Sequence, residues 1–114
     1  MAEAAELDAE DQKLVTLARA ARARSAAVEG AAVRDDMGRT YAAATVTLPS
    51  LSLSALQAAV TAAVSSGSDR LESAVVHTEA AALPEHDVRL LADLGLGEAI
   101  LASSAGAVVV TVNA

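Results

Sequence analysis

The stretch SLSLSALQAAVTAAVSSG, Ser50 to Gly67, decides the fold, because it reads as a helix with no charged face. Ser54 supplies an N-cap, and Gly67 the C′ glycine that ends the helix. Between them Leu56, Ala58, Ala59, Val60, Ala62, Ala63 and Val64 spread apolar groups around most of the circumference. Gln57 and Thr61, four apart, form one thin uncharged stripe. A surface helix shows charge on its outer side, and a helix apolar nearly all round is a buried one. Its cover has to come from the rest of the chain and, since the chain is short, in part from another subunit.

The chain has 114 residues and suffices for one domain, 1–114, with residues 1–6 expected to form a flexible tail. It has no cysteine, which removes disulfides, thiol catalysis and thiolate metal ligands together. Tyr41 is the only aromatic residue, so the core is built from Ala, Val, Leu and Ile. The net charge is −7, and the only basic cluster is Arg19, Arg22 and Arg24. That balance argues against nucleic-acid binding, which needs concentrated cations or aromatic platforms. The three arginines read most simply as the solvated end of a helix, where the dipole favours them. No apolar run reaches the roughly 18–20 residues of a membrane span. MAEAAELDAEDQ lacks the basic start and apolar core of a signal peptide, so a cytoplasmic protein is expected.

Outward from the central helix the elements fall into place. Asp8 caps a helix running to about Ala27, with Leu14, Leu17, Ala18 and Ala21 on one face. Ala31–Arg34 and Thr40–Val46 read as a hairpin around DDMG, and TLPSL as a loop. After the central helix come a strand at Leu71–Thr78, a loop, and a short helix at His86–Leu94 closed by Gly95. EAILAS and AVVVTV are two strands joined by the tight turn SAG, too short for a parallel crossover. The order α-β-β-α-β-α-β-β predicts an α/β fold with helices on a mixed sheet.

This order and several local strings resemble the cytidine deaminase family of nucleoside deaminases, from about Leu14 to Val112. GAA at residues 30–32 followed by DDMGRTY resembles the family's first hairpin. ALQAAVTAAVSSG resembles the helix that the family opens with Cys-Ala-Glu-Arg. PEHDVRLLADLG resembles its Pro-Cys-x-x-Cys-Arg motif and the helix after it. The resemblance implies a cytidine-deaminase-like three-layer fold with a five-stranded mixed sheet. It also implies a chemistry in which zinc, held by Cys and His or by three Cys, activates a water while a Glu shuttles protons.

Mapped onto this chain, the first-ligand position is Ser54 and the proton-shuttling position Leu56. The two later ligand positions are Glu85 and Val88, and Arg89 matches the family's Arg. The ribose-holding residues fall near Thr45 and Thr47. Leu56 carries no proton, Val88 has no donor atom, and Ser54 is a poor zinc ligand. The expectation is therefore a pseudoenzyme with an interaction or regulatory role toward a protein partner, with no cofactor and no metal. The alternatives are nucleoside or nucleotide binding through a remnant pocket, or residual deaminase activity.

Other motifs are weaker. HTE, His77 to Glu79, spells the H-x-E of some deaminases, but it ends a strand and no Cys follows. Nothing in the spacing of His77, Glu79, Glu85 and His86 fixes a metal geometry. GLG at residues 95–97 reads as a helix stop, and Asp35 and Asp36 as turn residues.

The uncharged helix implies a homo-oligomer, a dimer or tetramer, with Gln57 and Thr61 at the subunit contact, and the family's habit of oligomerising points the same way. The competing expectation is that the first helix covers the central one through Leu14 and Leu17.

Overall fold

The computed structural model describes residues 6–112. The expected N-terminal tail lies outside them, apart from Glu6. In chain order the elements are α1 (Ala9–Ser25), β1 (Gly30–Asp35), β2 (Thr40–Ala44), β3 (Val46–Leu48), β4 (Leu51–Leu53), α2 (Ala55–Ser65), β5 (Leu71–His77), α3 (Glu85–Asp93), β6 (Glu98–Ser103) and β7 (Gly106–Thr111).

Five strands form one mixed sheet in the order β2-β1-β5-β6-β7. β1 is antiparallel to both β2 and β5, β5 and β6 are parallel, and β6 and β7 form the expected antiparallel hairpin. Two crossovers carry the chain between parallel strands. One runs from β2 through α2 to β5 and steps over β1; the other runs from β5 through α3 to β6.

The interior strands β1, β5 and β6 are apolar on both faces because each face is covered. Ala31, Val33, Ala74, Val76 and Leu101 point to a core shared with α2 and α3. Ala32, Val75, Ile100 and Ala102 point the other way, to Leu14 and Ala18 of α1. Helices therefore lie on both sides of the sheet, giving three layers.

The structure differs from the sequence reading in two places. The second strand stops at Ala44, and the stretch expected to be a loop forms a second hairpin, β3–β4, in which Leu48 faces Leu51 across Pro49 and Ser50. Three residues a side are too few for a clear periodic signal, and Pro49 reads as a strand breaker until it is seen to occupy the turn.

The second difference answers how α2 is covered. α1 does not cover it, because α1 lies on the opposite face of the sheet, and Leu17 is left 37% exposed. The sheet and α3 bury Ala55, Leu56, Ala59, Val60 and Ala63. Thr61, Val64 and Ser65 face outward. Among the described residues no helix is long and apolar enough to cross a membrane.

Candidate functional site

The N-termini of α2 and α3 meet at one place, where a Ser54–Asp87 hydrogen bond joins them. Ser54 caps α2 with its side-chain oxygen, which accepts from the Gln57 amide at 3.0 Å, while Gln57 Oε1 accepts from the Ser54 amide at 2.9 Å. This is a full capping box. The same Ser54 hydroxyl donates to Oδ1 of Asp87 in the first turn of α3, at 2.8 Å. His86 Nε2 lies 3.2 Å from that oxygen. α3 has no side-chain cap of its own, since Pro84 stands at its N-cap.

Asp87 is 1% exposed, and its Oδ2 finds no partner among the described residues. Burial pushes its pKa up. The Ser54 hydrogen bond and the neighbouring His86 oppose that rise, and Glu29 adds to it. Since the folded state raises this pKa, the carboxyl favours folding most at low pH, and that contribution is lost as pH rises through the folded value. Asp87→Asn keeps an acceptor for Ser54 and removes the charge. Its thermal midpoint should exceed that of the parent at pH 7, with the gap closing toward pH 4, as read from melting curves at both values.

The other residues singled out from sequence stand as follows. Leu56 is wholly buried in the core between α2 and the sheet. Val88 is half-buried against that core. Glu85 and Arg89 are exposed and paired with each other at 2.6 Å, one turn apart on α3. Ser54 and Leu56 thus lie at the N-terminus of α2 and Glu85 and Val88 at that of α3, and of these four only Ser54 has a polar atom turned inward. Thr45 is tied to Glu29: its hydroxyl donates to the Glu29 carbonyl and accepts from the Glu29 amide. Glu29 in turn accepts from Thr78 at 2.7 Å. Thr47 is exposed on β3.

His77 and Glu79 belong to a different cluster. Both contact Arg22 Nη1 of α1, at 3.2 and 3.1 Å. Burial holds the His77 imidazole below its usual pKa, and the Arg22 and Arg19 cations add to this. One arginine of the basic cluster is therefore not simply solvated: Arg22 pairs across to the end of β5.

Asp87 is the residue that sequence reading missed. It stands between Glu85 and Val88 in the first turn of α3, where an acidic residue is ordinary. Nothing in the local sequence marks it as buried, and it does not cap α3.

A family profile described as cytidine deaminase-like matches residues 7–107, and the chain belongs to that family. The fold is shared with two solved structures. The cytidine deaminase from Burkholderia pseudomallei superposes with a TM-score of 0.77 at 21% identity, over 89% of this chain and 91% of that one. The cytidine deaminase from Mycobacterium leprae gives 0.70 at 22% identity, over 92% and 95%. No curated protein matches the chain.

Proposed function

We propose that this protein is a non-catalytic cytidine-deaminase-like protein, a pseudoenzyme that acts through interaction, resides in the cytoplasm and associates with copies of itself. The observation that carries this is the Ser54–Asp87 hydrogen bond. The donor set at the family positions does not fit a zinc ion: Ser54 is committed to a carboxylate, Glu85 to Arg89, and Val88 has no donor. Leu56, in the proton-shuttling position, packs in the core and moves no proton.

The test uses the purified full chain, loaded with zinc, desalted, and measured for metal content and for cytidine deamination. Neither stoichiometric zinc nor turnover is expected. One zinc per chain, lost on replacing Glu85 or His86, would overturn the proposal. A saturable rise in melting temperature with added nucleoside would replace it with a ligand-binding role.

Self-association is supported by the outer side of α2. Val64 is 47% exposed there, beside Thr61. The Thr61 hydroxyl donates back to the Gln57 carbonyl at 2.6 Å, so it does not hold a shell of water strongly. Gln57 keeps its amide NH₂ for a partner, because its oxygen serves the cap. Thr61→Arg should give a monomer with an unchanged circular dichroism spectrum, as read by light scattering beside an oligomeric parent.

A further inference from the structure

We infer that the groove between α1 and the β6–β7 turn binds a small organic carboxylate, with Arg19 holding the carboxylate and an alanine floor receiving its apolar end. The groove lies on the α1 face of the sheet, away from Ser54, α2 and α3, so the inference goes beyond the function proposed above and does not rest on it. Its volume is about 310 Å³, at the lower end of small-molecule sites.

The sequence opens this space at two positions. Ala102 of β6 and Ala107 of β7 are register partners and line the groove, with Val15 and Arg19 of α1 across from them. Two residues back on the same face, the pair Ile100 and Val109 is large enough to pack against α1. Two alanines in place of such a pair leave the end of the sheet uncovered. Ser103 and Ser104 form the rim. The Ser103 hydroxyl oxygen accepts from the Ala105 amide at 3.1 Å, so its proton stays available to an anion.

Charge selects the ligand. The chain has 15 Asp and Glu residues, yet among the described residues that line this groove the only charged one is Arg19. Arg19 is exposed and forms no ion pair among the described residues. One turn on, Arg22 Nη1 donates to His77 Nδ1 and to Glu79. His77 is buried beside Ala102, its register partner in the parallel pair. Because its Nδ1 accepts, the imidazole is neutral there. Burial, Arg22 and Arg19, in that order, hold its pKa down against Glu79, so the field of Arg19 reaches it. Glu79 balances Arg22 and leaves one positive charge in excess, that of Arg19. One excess charge calls for a monoanion, and a guanidinium takes a carboxylate through two parallel N–H bonds. The alanine floor and Val15 then suit a short aliphatic body.

The chain has two histidines, so its imidazole proton signals report position directly. Hexanoate added to the full chain should move the His77 signals saturably, while those of His86, on α3, stay in place. Arg19→Gln should weaken hexanoate binding by about 10-fold or more, the worth of one charge-assisted pair. Ala107→Leu, which fills the floor, should abolish it with an unchanged circular dichroism spectrum. Inorganic phosphate, which has no apolar end, should bind more weakly than hexanoate. No saturable movement at His77, or hexanoate binding that survives either substitution, overturns the inference. Phosphate binding as tight as that of hexanoate would overturn the carboxylate assignment in favour of a bare anion site.

Discussion

Gly30→Ala should destabilise the protein by about 3 kcal/mol or more, because the added methyl has nowhere to go. A Cβ at Gly30 would stand 2.1 Å from the Ala18 carbonyl oxygen, 2.8 Å from the Arg22 amide nitrogen and 2.9 Å from the Arg22 Cβ. Two of these atoms are helix backbone, which cannot rotate aside as a side chain would. α1 comes this close to the first residue of β1 because its inner face is made of Leu14, Ala18 and Ala21, two of them alanines. The substitution has to lift α1 off the sheet and open the core around Ala32, Val75 and Ile100. For a domain of this size the thermal midpoint should fall by about 15 °C. Urea unfolding with an unchanged m-value checks it, and a loss below about 1 kcal/mol would mean that α1 is free to shift.

Asp35→Ala should have an effect of similar size for a different reason. Asp35 is wholly buried at the end of β1 and organises the whole β1–β2 turn. Its Oδ2 accepts from the Ser68 hydroxyl at 2.6 Å and from Arg39 Nε at 2.8 Å, and its Oδ1 from the amides of Arg39 and Met37 at 2.9 and 3.0 Å. Removing the carboxylate leaves the buried Ser68 hydroxyl and the turn amides without it, at a cost of about 3 kcal/mol. The Ser68 hydrogen bond, with those from Arg39 and Met37, lowers the Asp35 pKa from 3.8 to about 2 against the opposing effect of burial. A depressed folded-state pKa stabilises above the unfolded value and loses that contribution as pH falls from about 4 to about 2. The parent should therefore lose more stability than Asp35→Ala over that interval. Parallel acid-melting slopes for the two would sink the assignment.

The layers were legible because they rest on periodicity. The central helix, the parallel pair β5 and β6, and the final hairpin each carry a run long enough to show its period. What escaped rests on contacts between distant residues. Nothing in the sequence near Leu14 or Leu17 says which side of the sheet α1 takes, since both faces of the inner strands are apolar. The β3–β4 hairpin escaped because three-residue strands are too short to alternate visibly. In the candidate site, Ser54 and Leu56 stand at the start of α2 and Glu85 and Val88 at the start of α3. Asp87 could not be found by way of the resemblance, because it falls on one of the unspecified positions of the Pro-Cys-x-x-Cys-Arg motif that PEHDVR resembles. Its importance comes from being buried against Ser54, thirty-three residues away in the chain.

The link between the heads of α2 and α3 has a consequence for how the protein is supplied in a cell. Ser54 and Asp87 are both encoded in the chain, so the joint closes as the polypeptide folds and waits for nothing to be delivered. Helices joined through a metal are populated only at a metal activity that the cell must maintain, and a chelator takes that joint apart. A hydrogen-bonded joint is indifferent to metal scarcity.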